Sequence, residues 1–145
     1  MSETPLDLSY FMPGNPEDVH EVEVAISRRI RDEDGNPVLF KLRPISTQRI
    51  EEIEDECKKS IVKKNRVVGK ELDQSRFLAR IAVETTVYPD FKAQELRKAY
   101  QTEDPVEVAK KVLHIAGEYS TWIEKVSEIN GFDDTAEDLE EYAKN

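Results

Sequence analysis

The stretch from Asp73 to Phe91, DQSRFLARIAVETTVYPDF, constrains this chain more than any other. Phe77, Leu78, Ile81, Ala82 and Thr85 fall at the i, i+1, i+4, i+5, i+8 spacing of one helix face. Val83 and Val87 point roughly the other way, leaving a narrow polar strip of Arg76, Arg80 and Glu84. A helix with two apolar faces has to be covered from two directions, so it belongs at the centre of the fold. Asp73 suits the N-cap, where a carboxylate accepts from the free amides of the first turn. Pro89 is expected to end the helix, because it cannot donate the next ladder bond and disfavours helical geometry in Tyr88.

The flanking sequence has to supply that cover. At 145 residues the chain is one domain's worth, long enough to bury a core without staples. No apolar run approaches the roughly 20 residues that span a bilayer. The N-terminus lacks signal-peptide features, and a single cysteine fits a reducing compartment, so a cytoplasmic location is expected. The net charge of −10 is uneven, with −4 on residues 1–20, −5 on residues 131–145 and −1 on the middle. Nucleic-acid binding needs a basic face, so an acidic chain of this kind is not expected to bind it.

Residues 1–20 read as an extended acidic arm with Pro5, Pro13, Gly14 and Pro16. Leu6, Leu8, Tyr10, Phe11 and Met12 make it too apolar for a mere linker. From Glu21 the period becomes two. Val22, Val24, Ile26 and Ile30 alternate with Glu23, Ala25, Ser27 and Arg29, and Val38, Phe40 and Leu42 with Leu39, Lys41 and Arg43, around the turn formers Asp32 to Pro37. This predicts a β-hairpin over residues 21–44. A helix starting at Ser46 or Thr47 follows, with Ile50, Ile53, Cys57 and Ile61 as its stripe. Its early acids and late lysines (Lys58, Lys59, Lys63, Lys64) suit the helix dipole. Asn65 to Gly69 breaks it. After the central helix, Asp90 is placed to cap a helix to Tyr100, and Asp104-Pro105 starts another. Gly117 marks a break before the stripe Tyr119, Trp122, Ile123, Val126 and Ile129, which Asn130-Gly131 closes. Asp134 to Glu137 resembles a capping box for a marginal acidic helix.

The expected fold is therefore α+β, mainly α: an N-terminal β-hairpin packed on a bundle of about five to six helices. Residues 21–132 form one globular domain, and residues 133–145 an acidic tail or short helix. The inventory for catalysis is thin. Cys57 sits on an apolar stripe, and His20 and His114 lie far from it in sequence. No spacing suits zinc or calcium, and no glycine loop suits a phosphate. No catalytic residue, metal or cofactor is expected. The chain reads as a non-enzymatic protein that acts by contact.

Specific stretches then point further. Asp34-Gly-Asn-Pro-Val38, Phe40-Lys-Leu-Arg-Pro44, Gly69-Lys-Glu-Leu-Asp73 and Val83 through Phe91 occur in order. Gly117-Glu-Tyr119 and Ile123 through Phe132 follow them. Together this set resembles the XkdN-like family of phage tail assembly chaperones over most of residues 21–132. Ala116, where proline would be more usual, and the Gln101–Glu103 linker depart from the pattern. The resemblance implies a transient assembly factor in the cytoplasm of the bacterial host, absent from the mature virion. It would bind the tape measure protein, keep it soluble and help recruit tail tube protein. In related systems a frameshift-extended form does the recruiting, and Asp133–Asn145 lies where such an extension would begin. Neither nucleic acid nor membrane is an expected partner. Self-association into rings or spirals would suit a chaperone that coats a long client, and the sequence leaves it open.

Such a chaperone has to cover apolar stripes on its client with a patch of its own. The candidate contact residues are Tyr119, Trp122 and Ile123, followed by Tyr88 and Phe91, and each competes with a place in the core. A structural tail or head–tail joining protein retained in the particle is the alternative. An acidic DNA-mimicking inhibitor ranks below it, because the carboxylates gather at the ends.

Overall fold

The computed structural model describes residues 6–132 and Glu141. The acidic tail or short helix expected over residues 133–145 therefore lies outside the described residues, apart from Glu141.

Alternation around Gly35 does produce a hairpin. β1 (Val22–Val24) pairs antiparallel with β2 (Phe40–Leu42), Val22 opposite Leu42 and Val24 opposite Phe40. The connecting turn closes through Asp32 N–H to the Asn36 carbonyl (2.8 Å), with Gly35 at a φ of +82°. Glycine takes that left-handed conformation at no steric cost. The strands are shorter than the alternation suggests. Residues 25–30 leave the ladder, which resumes at the Arg31–Pro37 bridge.

The expectation of a mainly α fold, with this hairpin set on a helix bundle, is overturned. Among the described residues there are two small sheets, and the strands are interspersed with the first helices along the chain. The first sheet has the order β1-β2-β5. Its third strand, β5 (Thr86–Tyr88), emerges directly from the central helix and pairs antiparallel with β2. The second sheet is a separate hairpin of β3 (Lys58–Lys63) and β4 (Arg66–Leu72).

That second hairpin replaces the lysine-rich end expected of the first helix. α1 (Thr47–Glu56) starts as expected, with the Ser46 hydroxyl accepting from Arg49 N–H, but it stops at Cys57. The next residues include the β-branched Ile61, Val62, Val67 and Val68, which favour a strand. Lys64 and Asn65 both take positive φ (51° and 65°), as a two-residue hairpin loop of the mirror-image type requires. The lysines are strand residues, so the helix-dipole account of them does not apply.

α2 (Gln74–Thr85) is the central helix. The Asp73 carboxylate caps it by accepting from Arg76 N–H (3.2 Å). Ile81 and Val83, on different sides, are both buried, as are Ala79, Ala82 and Thr85. The cover comes from α1, α4 (Pro105–Val112), α5 (Ala116–Ile129) and β5. The helix ends four residues before Pro89, because Thr86, Val87 and Tyr88 join the sheet beside β2. Asp90 does not cap a helix from Phe91. Its carboxylate accepts from Lys92 N–H (3.0 Å) in a turn, and α3 (Gln94–Ala99) begins after Ala93. Asp104-Pro105 starts α4 as expected, the carboxylate accepting from Val106 N–H. Gly117 lies inside the first turn of α5, so the break falls before it, at Leu113–Ile115.

Long-range polar contacts tie these elements together. The residues that leave the β1–β2 ladder reach the turn between α4 and α5. Arg29 forks onto Glu118 (2.6 and 3.0 Å) and also donates to the Val112 carbonyl (3.0 Å), while the Ser27 hydroxyl donates to Glu118. At the other end of α5, Asn130 accepts from Ile45 N–H (3.0 Å) and donates to Thr85 Oγ1 (2.9 Å).

Candidate functional site

α5 and the turn after β5 bring three of the five predicted contact residues into one row. The Trp122 ring stands edge-on to Phe91 (centroids 5.4 Å apart) and to Tyr119 (5.6 Å), and Phe91 continues the row to Phe40 (6.1 Å). Trp122 Nε1 donates to Thr86 Oγ1 (2.8 Å), whose own hydroxyl donates to the Ala82 carbonyl (2.7 Å). A buried indole thus has its one donor satisfied, and the start of β5 is fixed against α5.

The five candidates differ in what a partner can reach. Trp122 and Phe91 are both fully buried, at 0% exposure. They support the surface and are not available to it without opening the core. Tyr119 and Ile123 are half-buried and, with Ser75, Leu78 and Ser120, line a shallow hollow of about 320 Å³ between α2 and α5. Burial, and secondarily Glu107, pushes the Tyr119 phenol up from its ordinary value. Tyr88 is half exposed, at the rim of a second hollow of about 210 Å³. This hollow is almost wholly apolar, with Ile30, Val38, Phe40, Phe91, Leu96, Tyr100 and Val112 among its lining. The row Tyr119–Trp122–Phe91 joins one hollow to the other through the core.

Leu78, Leu96, Tyr100 and Val112, which the periodicity marks as packing positions and not as contact residues, also line these hollows. Their signal was present in the helical periodicity, but periodicity does not say which member of a stripe sits at its edge. Ion pairs tie the central helix to its neighbours. Arg76 grips Asp104 through both nitrogens (2.7 and 3.2 Å), and Arg49 reaches Glu84 (2.9 Å). Burial tends to raise the Asp104 and Glu84 carboxyls, but their arginine partners hold both below the ordinary range. Arg29, helped by Ser27, draws Glu118 down to about 2 against partial desolvation.

Nothing in this arrangement assembles a nucleophile and base. Cys57 is buried at the end of α1, and burial pushes its thiol up, whereas His114 is exposed in the turn before α5. Among the described residues no group of three or more His, Cys, Asp or Glu is placed to hold a metal ion. No described helix is long and apolar enough to cross a membrane. The geometry offers two hollows, lined largely by apolar side chains, on a closed core.

Comparison with known proteins identifies the family. Residues 8–144 match the family of Phage XkdN-like tail assembly chaperone proteins. This chain belongs to that family. It is 53% identical over 144 residues to phage-like element PBSX protein XkdN of Bacillus subtilis (strain 168), covering 99% of this chain and 97% of the relative. It is also 60% identical over 141 residues to the uncharacterized protein YqbN of the same strain, covering 96% and 93%. The crystal structure of YqbN superposes with a TM-score of 0.78 at 56% identity, covering 90% of this chain and all of that one. The chain is therefore a phage tail assembly chaperone by family.

Proposed function

We propose that this chain binds the tape measure protein during tail assembly without catalysing a reaction. It keeps the client soluble, helps recruit tail tube subunits, and leaves before the virion is complete. The single observation that carries the reading is membership of the tail assembly chaperone family over residues 8–144. The two hollows support it by supplying what a helical client needs. Apolar side chains spaced along an amphipathic helix would enter at Tyr119 and Ile123 and at Tyr88, while Trp122 and Phe91 hold those walls in place. The work is done in the cytoplasm of the host, where the tail is built.

Co-expression with the tape measure protein of the same genome, followed by size-exclusion chromatography with light scattering, tests this. The client should become soluble and co-elute with several copies of this chain. A client that is expressed but stays insoluble, with this chain eluting alone, would contradict direct solubilisation. Recovery of the chain from purified particles would favour a retained structural role.

A further inference from the structure

The β3–β4 hairpin stands out from the body of the molecule as a finger. Its base is tied down, with Asp73 N–H donating to the Cys57 carbonyl (2.9 Å) and Lys59 on the Asp73 carboxylate (3.0 Å). Residues 58–71 carry six Lys or Arg against one Glu, a net +5 on a chain of net charge −10. Two of those cations are paired at the base, Lys58 with Asp55 and Lys59 with Asp73. Among the described residues, Lys63, Lys64, Arg66 and Lys70 have no carboxylate within ion-pair distance. Val62 and Val67, opposite one another in the ladder, are 60% and 67% exposed, and Val68 beside them is 59% exposed. The finger therefore presents positive charge and apolar surface together.

A segment of matching chemistry lies in the same chain. Residues 133–145 carry six acids against Lys144, a net −5, with Leu139 and Tyr142 set among them. They equal the finger's charge with opposite sign and supply apolar side chains for its valines. The acids of the N-terminal arm are placed elsewhere, with Glu17, Asp18 and Glu21 gathered around Arg43 at the start of α1. Reach also favours the C-terminal segment. Asn130 holds the end of α5 against Thr85, the last residue of α2, while the finger springs from Asp73 at the other end of that helix. Twelve residues of helix make about 18 Å, and a six-residue strand adds about 20 Å to the tip. Residues 133–145, fully extended, span about 43 Å. They can reach the tip of their own finger.

We propose that residues 133–145 dock on the β3–β4 finger of their own chain and cover it. Their carboxylates neutralise Lys63, Lys64, Arg66 and Lys70, while Leu139 and Tyr142 pack on Val62 and Val67. The tether makes this an intramolecular contact, at an effective concentration far above that of a separate segment of the same chemistry. An outside polypeptide of that kind, acidic with spaced apolar residues, has to displace the tail before it meets the finger. The tail is thus a built-in competitor that controls access to this surface. The contact requires no client and goes beyond the function proposed above.

The test uses the full chain and a fluorescein-labelled peptide of residues 133–145, followed by fluorescence anisotropy in about 0.1 M salt. The tail of a full-length variant is neutralised by Asp133→Asn/Asp134→Asn/Glu137→Gln/Asp138→Asn/Glu140→Gln/Glu141→Gln. That variant should bind the peptide at least about tenfold more tightly than wild type, whose finger is already covered. Adding Lys63→Glu/Arg66→Glu to it should abolish the binding while the wild-type circular dichroism is kept. Carbodiimide crosslinking of an equimolar mixture of isotope-labelled and unlabelled wild type then locates the contact. Links between the finger lysines and the carboxylates of residues 133–145 should join segments of the same isotope only. A neutralised variant that ignores the peptide would overturn the proposal, as would a wild type that binds it equally well. Binding that survives Lys63→Glu/Arg66→Glu would overturn it by moving the contact off the finger. Absence of such links, or links that join both isotopes, would overturn it too, the latter by placing the tail on a second copy.

Discussion

The seam between α2 and α5 and the β3–β4 finger are both rich in β-branched and apolar residues, yet they use them in opposite ways. In the seam, Ile81, Val83 and Val126 are buried, Trp122 has its indole hydrogen bonded, and Asn130 closes the end with bonds to Ile45 and Thr85. In the finger, Val62, Val67 and Val68 face water, and both edges of a two-stranded ladder are open. An isolated two-stranded hairpin is marginal by itself, so the finger's order depends on its short turn and on its base at Cys57 and Asp73. The seam holds the fold together, while the finger and the two hollows leave surface available for contact.

Substitutions should separate the two regions sharply. Trp122→Ala removes the ring that links Tyr119 to Phe91, and should cost about 3–5 kcal/mol in urea unfolding, a large part of a small domain's stability. Trp122→Phe keeps most of the packing and loses the bond to Thr86, so it should cost less. If Trp122→Ala unfolds at wild-type urea concentrations, the seam is not the keystone described here.

A smaller effect is expected where Arg29 and Ser27 clamp the start of α5. The Glu118 carboxyl is lowered from 4.5 to about 2. A carboxyl depressed in the folded state stabilises it fully above the unfolded value, near 4.5. That contribution is lost as pH falls through 4.5 toward 2. Glu118→Gln should therefore lower the thermal midpoint at neutral pH, and the gap to wild type should narrow between about pH 5 and about pH 3. A gap that stays constant across that window would remove the ion pair from the account.

The smallest effect belongs to the finger. Val62→Thr/Val67→Thr changes two exposed side chains and should leave unfolding within about 0.5 kcal/mol of wild type. A larger loss would mean that these valines support the fold and do not simply face outward.

These differences also show what the sequence could reveal. Asp73, Asp104-Pro105 and Gly35 act through local geometry, and each does in the structure what its residue type suggests. Lys58 to Lys64 are compatible with a helix end as well as with a strand. The deciding feature is a two-residue loop at Lys64-Asn65 between β-branched runs, and the gradient from acids to lysines masks it in the sequence. Thr86 to Tyr88 continue a helical pattern locally and become a strand only because β2 offers an open edge far away in sequence. The same limit applies to the site. Tyr119, Trp122 and Ile123 share one stripe, but only packing separates the buried Trp122 from the half-open Tyr119 and Ile123. The clamp of Ser27 and Arg29 on Glu118 joins residues about ninety positions apart and had no local signature.

The most direct test of the chaperone reading pairs the wild-type chain with Tyr88→Ala/Ile123→Ser, co-expressed with the tape measure protein and compared by co-elution. Both substituted residues are partly open, so the variant should keep its circular dichroism spectrum. The account predicts that it binds the client at least about tenfold more weakly than wild type, a loss of about 1.4 kcal/mol. A folded variant that holds the client as tightly as wild type would contradict the placement of the contact surface at these hollows.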